Sequence, residues 1–259
     1  MIARIDDQGD RLVVVNANTA KRNALSPDYY AALAEALDRA ERGGVAALIL
    51  HGEGGYFCAG GDLAQIATRR DLPEPERIAR IEALHELIRG LMACPVPVIA
   101  AIEGGAAGAG ASIAFACDLI VAARGATVSA AYVKAGLVPD GGLTANLATC
   151  LPRPMLMRMA LTGEAVAFER LHDLGAVGEL CDPGDALAAA HALADRLADG
   201  PVVAQTRIKR LVNAAYACDP AAQLDAERDA MAAAVAAEEA AEGIAAFLDR
   251  RRPDFRSVR

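Results

Sequence analysis

The segment from Gly104 to Asp118, GGAAGAGASIAFACD, most restricts what this chain can fold into. It follows an apolar, β-branched run at Pro95–Ile102, which predicts a strand buried on both faces. Because no helix breaker occurs from Ala109 to Cys117, we expect a helix to begin near Ala109. The first amides of a helix lack intrahelical acceptors and lie at the positive end of its dipole. The segment therefore predicts a strand, a glycine bend and a helix end that suits an oxyanion.

The small residues of this bend have a second interpretation, in which they only let the helix pack closely on a sheet. A dinucleotide-binding loop is disfavoured, because G-x-G-x-x-G spacing from Gly108 and Gly110 would require a glycine where Ile113 stands. No phosphate-loop lysine follows the bend. Oxyanion binding and close packing therefore both remain open at this point.

The composition restricts the class of protein. A chain of 259 residues that is 54% hydrophobic can bury a full core, and its apolar excess favours oligomerisation. Aromatic residues make up only 4%, so we expect helices packed closely through small side chains. A net charge of −8 disfavours a nucleic-acid partner, because duplex binding requires a basic face.

Cysteine usage and the amino-terminal residues predict a cytoplasmic protein. The six cysteines form no CxxC pair and the four histidines lack metal-ligand spacing, so we expect reduced thiols and no metal site. The opening residues MIARIDDQGD lack the apolar core of an export signal. Residues 95–123 contain two prolines, Glu103 and Asp118, so we expect strand, loop and helix there and no membrane span.

The first part of the chain alternates strand and helix patterns. Leu12–Asn16 predicts a strand, Ser26 a helix cap before Pro27, and Gly43-Gly44 the end of that helix. A strand is predicted at Val45–His51, and the glycine-dense bend GEGGYFCAGGDL at 52–63 leads into a helix that begins at Asp62. The next pattern is a crossover helix over 75–93, with one apolar face formed by Ile78, Ile81, Leu84, Ile88 and Leu91.

Beyond residue 150 the pattern is helical with almost no strand. Helices are predicted at Asp185–Asp199, Pro201–Ala217, Pro220–Ala241 and Gly243–Arg251. We therefore divide the chain near residue 200, into a core at 1–199 and a helical region at 200–259.

Four motifs, in this order, resemble those of the crotonase (enoyl-CoA hydratase/isomerase) superfamily. They are RNAL at 22–25, FCAGGDL at 57–63, PVIAAIEGGAAGAG at 97–110 and GLVPDGG at 136–142, and EGIAAFLDRRRPDF at 242–255 is similar to the closing helix of that family. The resemblance implies an α/β fold, a spiral of ββα units, followed by C-terminal helices that form trimers, which often pair into hexamers. It implies an acyl-CoA substrate held by the core at 1–199, with coenzyme A as part of the substrate and no separate cofactor.

The resemblance also implies which amides hold the thioester carbonyl oxygen. Matched position by position, these belong to Gly61, after Ala59-Gly60, and to Ala109, after Gly108. Such amides stabilise the enolate that forms when a proton is removed next to a thioester. Ala109 is also where the residues alone predict the start of a helix.

The chain departs from the family's hydratases at two positions. These enzymes use two glutamates, and the matching positions carry Ser112 and Tyr132. Hydroxyl groups with pKa values far from 7 are poor proton shuttles, so a two-glutamate hydratase mechanism is not expected. Tyr132 is then either a catalytic residue or an aromatic wall of the acyl pocket.

Asp140 is the main candidate for the catalytic acid or base. In any Pro-Asp-Gly turn an aspartate is common for structural reasons. In ring-processing isomerases and dehalogenases of the superfamily, however, an aspartate at the matching position faces the acyl group, as proton shuttle or as nucleophile. His85 matches a catalytic histidine of the dehalogenases, although it also suits the edge of the apolar helix face.

The family further implies a set of substrate-binding positions. Lys21 and Arg22 match the segment that contacts the nucleotide, and Arg250 matches a basic residue that reaches a neighbouring subunit's cofactor; a solvated helix end is the alternative for Arg250. Met231 and Phe247 either line the acyl tail or serve the amphipathic helices that carry them. The full set is Lys21, Arg22, Ala24, Ala59, Gly60, Asp62, Leu63, Gly108, Ser112, Met231, Phe247 and Arg250.

These observations predict an enoyl-CoA hydratase/isomerase family enzyme in which isomerase-like proton transfer by Asp140 is favoured. The sequence is most similar to the oxepin-CoA and phenylacetate ring-isomerase branch. One alternative is a hydrolase or dehalogenase-like enzyme in which Asp140 is the nucleophile and His85 activates water. A second alternative is a non-catalytic protein that binds acyl-CoA or associates with RNA, and the acidic composition disfavours RNA.

Overall fold

A computed structural model describes residues 2–258 of the chain. The strands are β1 (Ala3–Asp7), β2 (Arg11–Asn16), β3 (Ala47–Gly52), β4 (Val98–Ile102), β5 (Gly105–Ala107), β6 (Leu119–Ala123), β7 (Thr127–Ser129), β8 (Ala165–Ala167) and β9 (Glu179–Cys181). The helices are α1 (Pro27–Glu41), α2 (Leu63–Ala67), α3 (Glu74–Ala93), α4 (Ala109–Ala116), α5 (Leu143–Ala148), α6 (Arg153–Thr162), α7 (Phe168–Asp173), α8 (Ala186–Ala198), α9 (Val202–Ala215), α10 (Pro220–Val235) and α11 (Glu238–Leu248).

The strands form two sheets. The larger sheet has the order β1-β2-β3-β4-β6-β9 and is parallel except for the antiparallel pair β1 and β2. The smaller sheet has the order β5-β7-β8, with β5 parallel and β8 antiparallel to β7. Since β4 and β5 are separated by only two residues, the chain passes directly from the centre of one sheet into the other. This mixed α/β architecture confirms the predicted fold class.

Alternate residues of the central strands face two apolar layers. On one face, Leu12, Leu48 and Val98 pack in the main core, which also includes buried residues of α1, α3 and α4. On the other face, Ile49 and Ile99 pack against buried alanines of α8, which are Ala186, Ala190 and Ala194. All residues of β4 are buried, as predicted for a strand covered on both sides.

Local signals predicted the starts of α1 and α4 correctly. Ser26 caps α1, where its Oγ accepts a hydrogen bond from the Tyr29 amide at 3.2 Å, and α4 begins at Ala109. The apolar face predicted for α3 is only partly buried. Leu84, Ile88 and Leu91 are buried, whereas 57% of Ile78 and 38% of Ile81 are exposed, because only the carboxyl-terminal half of α3 packs on the core.

The carboxyl-terminal prediction needs correction. The helix predicted to continue to Ala241 ends at Val235, and α11 starts at Glu238 and contains Gly243. The run of alanines there has no breaker that marks the boundary. Two short strands, β8 and β9, also occur beyond residue 150. The proposed boundary near residue 200 falls in the turn between α8 and α9, and it stays a prediction.

A buried ion pair ties α9 to the core. Lys209 Nζ lies 2.7 Å from Asp118 Oδ2, with only 7% and 19% of the two side chains exposed. The same ammonium donates hydrogen bonds to the carbonyl oxygens of Leu91, at 3.2 Å, and Val96, at 3.1 Å. Asp118 Oδ2 also accepts a hydrogen bond from the Val98 amide at 2.7 Å, next to the start of β4. Among residues 2–258, no helix is long and apolar enough to cross a membrane.

We predict that Lys209→Ala lowers the free energy of unfolding by about 3 kcal/mol, because it leaves the Asp118 carboxylate buried without its cation. Urea denaturation at a fixed protein concentration measures this change. Arg228→Ala removes an exposed ion pair to Asp225 on α10 and is the matched control, with an expected change below about 1 kcal/mol. Equal unfolding midpoints for Lys209→Ala and the unmodified chain would contradict the prediction.

Candidate active site

The glycine bend at 52–63 and the bend that begins at Gly104 lie side by side. The Ala107 amide donates a hydrogen bond to the Cys58 carbonyl oxygen at 2.9 Å, and the Phe57 amide donates to the Gly105 carbonyl oxygen at 3.2 Å. Residues 57 and 58 therefore run alongside β5, with a parallel bridge between Cys58 and Ala106. This pairing brings the bend at 59–61 to the amino end of α4.

Gly60 is required where the two backbones approach each other. Its φ of +87° is left-handed, and a Cβ added there would lie 2.5 Å from the Ala107 carbonyl oxygen and 3.0 Å from the Ala109 amide nitrogen. Gly61 follows directly, so its amide is a neighbour of the Ala109 amide. Within residues 2–258, neither of these two N–H groups donates a hydrogen bond to a protein acceptor. The bends thus present two unpaired donors, as an oxyanion site requires.

Three side chains meet beside this helix end. Tyr132 Oη lies 2.8 Å from Asp140 Oδ1 and 2.9 Å from Ser112 Oγ, and Ser112 Oγ donates to the Asp140 carbonyl oxygen at 2.9 Å. A Cβ added to Gly108 would lie 3.9 Å from Tyr132 Cζ, which places the Tyr132 ring next to the residue that precedes α4. The structure therefore brings Ser112, Tyr132 and Asp140 together at the site.

His85 also lies at this turn. Its Nε2 accepts a hydrogen bond from the Gly141 amide at 3.2 Å, and its Nδ1 lies 3.6 Å from Glu82 Oε2. Both ring nitrogens thus have protein neighbours. Gly141 has a φ of +59°, and a Cβ there would lie 2.8 Å from Ser112 Cβ, so this turn closes tightly on α4.

Burial and the charge of the Asp140 carboxylate raise the pKa values of two tyrosines. Burial, followed by the negative charge of Asp140, raises the pKa of Tyr132 well above its usual value, so this hydroxyl stays protonated at neutral pH. Burial and the charge of Asp140 also raise the pKa of Tyr30, on α1, to about 12. The sequence reasoning missed Tyr30, because it belongs to no motif and follows the buried Tyr29 on an ordinary amphipathic helix. It adds a second phenol to the surroundings of Asp140.

The RNAL segment at 22–25 is fixed beside the bend at 52–63. The Ala59 amide donates to the Arg22 carbonyl oxygen at 3.0 Å, and the Leu25 amide donates to the Gly60 carbonyl oxygen at 2.8 Å. Lys21 Nζ lies 2.6 Å from Asp62 Oδ2, and this hydrogen bond is the main cause that lowers the pKa of Asp62.

Further contacts define the surface of this segment. Asp62 Oδ1 caps α2 through the Ala64 amide, and the Arg22 guanidinium lies 5.7 Å from the centre of the Tyr56 ring. Ala24 is buried, whereas 59% of Leu63 is exposed. The predicted cations Lys21 and Arg22 are therefore held at the edge of the first bend, with their side chains exposed.

The other predicted substrate contacts lie elsewhere on the chain. Met231, on α10, is 65% exposed and Phe247, on α11, is 82% exposed. Arg250 is exposed just after α11, with a left-handed φ of +55°. No hydrogen bond or ion pair found within residues 2–258 joins these three side chains to Asp140. Their role as substrate contacts stays a prediction.

Comparisons with known proteins identify the family of this chain. A sequence profile of the Enoyl-CoA hydratase/isomerase family matches residues 9–258. A 1,2-epoxyphenylacetyl-CoA isomerase of Escherichia coli (strain K12) is 36% identical over 235 residues, which are 90% of this chain and 90% of that protein. The crystal structure of an enoyl-CoA hydratase from Polaromonas sp. JS666 has a TM-score of 0.93 and 40% identity, and the match covers 97% of this chain and 98% of that chain.

A third relative has the same fold. The crystal structure of an enoyl-CoA hydratase from Mycobacterium tuberculosis H37Rv has a TM-score of 0.84 at 32% identity, and the match covers 97% of both chains. The chain therefore belongs to the enoyl-CoA hydratase/isomerase family of enzymes, within the crotonase superfamily. The family predicted from the four motifs is confirmed, and the isomerase from Escherichia coli agrees with the resemblance to the ring-isomerase branch.

We predict that Gly60→Ala lowers the turnover of an enoyl-CoA substrate by about 100-fold, because its Cβ would push the Ala107 carbonyl and the Ala109 amide out of place. Steady-state kinetics measure the effect. The matched control is Gly55→Ala in the same bend, which has a left-handed φ of +76° but no heavy atom within 4 Å of the added Cβ. Equal losses in the two variants would show that backbone strain alone, and not the close approach, lowers activity.

Proposed function

We propose that the protein is an enoyl-CoA isomerase in which Asp140 moves one proton along the acyl chain. The amides of Gly61 and Ala109 hold the thioester carbonyl oxygen while its negative charge develops. The proposal depends most on one observation, the hydrogen bond from Tyr132 to Asp140 Oδ1, because it holds a carboxylate close to the amino end of α4. A base and an oxyanion site next to each other are what proton transfer beside a thioester needs.

The proposed reaction is a 1,3 shift. Asp140 removes a proton from the α carbon of a 3-enoyl-CoA, and the electrons of that C–H bond pass into a dienolate with its charge on the carbonyl oxygen. The same carboxyl group then returns the proton to the γ carbon, so that the double bond lies at the 2 position. Each of the two amides is expected to stabilise the charged oxygen by about 3 kcal/mol. One acid–base group is sufficient, because the carboxyl group that accepts the α proton then donates a proton to the γ carbon, and the carboxyl proton can exchange with solvent in between.

Direct hydration is disfavoured by the residues at positions 112 and 132. Both side chains carry hydroxyl groups, so neither supplies a carboxylate to activate water. Ser112 is also fully buried, and the Tyr132 hydroxyl is hydrogen-bonded to Asp140. The raised pKa of Tyr132 makes its hydroxyl a still weaker proton donor at neutral pH. These features support isomerisation over a two-glutamate hydratase mechanism.

Hydrolysis or substitution with Asp140 as nucleophile is the second candidate. The observation that favours it is the position of His85, which binds the residue directly after Asp140. Water activation would require His85 Nε2 to release the Gly141 amide, so the resting geometry supports this route less than isomerisation. A protein that binds acyl-CoA without turnover is the third candidate, and the placed carboxylate gives no support to it.

The substrate class and the assembly extend the proposal. The name of the isomerase from Escherichia coli supports a ring-containing or aromatic-derived CoA thioester as substrate. Coenzyme A then enters with the substrate, near Lys21 and Arg22. Large apolar side chains such as Ile208, Leu224 and Ile244 are exposed on α9, α10 and α11, which supports a trimer or a pair of trimers. In such an assembly Met231, Phe247 and Arg250 would face a neighbouring subunit's substrate.

We predict that Asp140→Asn lowers kcat on a 3-enoyl-CoA by about 100- to 10,000-fold, because the amide cannot accept the α proton. The measurement is mass spectrometry of 2-enoyl, 3-enoyl and aromatic-derived CoA thioesters incubated in deuterated water. For the unmodified enzyme we expect deuterium at the α or γ carbon. Asp38→Asn, at an exposed position of α1, is the control and should match the unmodified enzyme.

Two results would contradict the proposed isomerase. Unchanged turnover of Asp140→Asn across the panel would remove Asp140 from the mechanism. Single turnover in ¹⁸O-labelled water with label in the Asp140 carboxyl group would instead support the covalent route, because hydrolysis of an ester at Asp140 leaves solvent oxygen on that side chain.

A further inference from the structure

We propose that Tyr132 and Ser112 are positioning residues that keep the Asp140 carboxyl group hydrogen-bonded in both of its protonation states. The role assigned to them rests on the proposed function of Asp140 as the proton shuttle. A shuttle must alternate between carboxylate and carboxylic acid without moving away from the substrate. A fixed partner that can either donate or accept a hydrogen bond meets that requirement.

The three groups form a closed ring of contacts. Tyr132 Oη is 2.8 Å from Asp140 Oδ1, and Ser112 Oγ is 2.9 Å from Tyr132 Oη. Ser112 Oγ is also 2.9 Å from the main-chain carbonyl oxygen of Asp140. The ring thus begins and ends on Asp140. Each of the two hydroxyl groups carries one proton, which can rotate about the C–O bond to suit its neighbours.

When Asp140 is ionised, the ring contains two protons. The Tyr132 hydroxyl donates to Asp140 Oδ1, because an ionised carboxylate can only accept. The Ser112 hydroxyl then donates to the Asp140 carbonyl oxygen or to Tyr132 Oη. The carboxylate is held by a charge-assisted hydrogen bond, which is stronger than one between neutral groups.

When Asp140 has taken the substrate's α proton, the ring contains three protons for three contacts. The new proton on Oδ1 is donated to Tyr132 Oη, the Tyr132 hydroxyl rotates to donate to Ser112 Oγ, and the Ser112 hydroxyl donates to the Asp140 carbonyl oxygen. No heavy atom has to move, and Tyr132 and Ser112 each retain one proton. When Asp140 delivers its proton to the γ carbon, the hydroxyl groups rotate back.

The packing around Ser112 keeps the ring closed. Ser112 is fully buried, and a Cβ added to Gly141 would lie 2.8 Å from Ser112 Cβ and 3.2 Å from its Oγ. Ser112 is therefore packed directly against the backbone of the turn at 139–142. His85 Nε2 accepts a hydrogen bond from the Gly141 amide and restrains the next peptide of the same turn.

The test compares Tyr132→Phe, Ser112→Ala and the double variant in the full-length enzyme, with kcat and KM measured on a 3-enoyl-CoA. For Tyr132→Phe we expect kcat to fall about 10- to 100-fold, because a hydrogen bond to a charged group is lost, with KM changed by less than about threefold. For Ser112→Ala we expect a fall of about threefold or more. The double variant should lose no more than Tyr132→Phe, because both hydroxyl groups act through one chain of contacts.

Tyr216→Phe, which removes an exposed hydroxyl just after α9, is the control and should retain wild-type kinetics. A raised KM with unchanged kcat in Tyr132→Phe would make Tyr132 a wall of the pocket and would overturn the proposal. Strictly additive losses in the double variant would also overturn it. If Tyr132→Phe does not fold, Ser112→Ala decides alone, and an unchanged kcat in that variant is the overturning result.

The failure of this proposal can be told apart from the failure of the proposed function. An active Asp140→Asn variant would remove the shuttle, and the positioning role would fall with it. An inactive Asp140→Asn variant together with a Tyr132→Phe variant of wild-type kcat would leave the isomerase in place and overturn only the positioning role.

Discussion

The site depends on the close approach of two backbones at Gly60 and Ala107. The pairing of residues 57 and 58 with β5 brings these two backbones together. Because Gly60 has no side chain, they come close enough for the Gly61 and Ala109 amides to be neighbours. Both amides then lack protein acceptors within residues 2–258. The β4 strand, buried on both faces, gives this arrangement a rigid support, because it leads into β5 after only two residues.

An acidic chain can stabilise an oxyanion in this way because backbone amides carry no net charge. Oriented N–H groups and the amino end of α4 supply the positive potential locally, while the net charge of the whole protein is −8. The same arrangement separates the two tasks of the site. In the proposed mechanism the bends provide the oxyanion donors, and the turn at 139–142 provides the carboxylate from a different part of the chain.

Local sequence signals predicted the parts of this structure that local chemistry determines. Ser26 marked the start of α1, and the unbroken run after Gly108 marked the start of α4. The contact between His85 and Gly141 joins positions 56 residues apart and has no local signal. Periodicity identified the apolar face of α3, but it could not show that Ile78 lies beyond the part that packs on the core.

The hydroxyl groups at positions 112 and 132 are better understood as partners of Asp140 than as lost hydratase glutamates. Ser112 Oγ and Tyr132 Oη both lie within hydrogen-bond distance of Asp140 atoms. A carboxylate in place of the Tyr132 hydroxyl would face the Asp140 carboxylate, and two carboxylates that share a site cannot both ionise readily. One of them would hold a proton, and Asp140 could no longer be relied on as the base. A neutral hydroxyl group at position 132 avoids that repulsion, so in the proposed mechanism the absence of a glutamate there and the presence of Asp140 follow from the same electrostatic requirement.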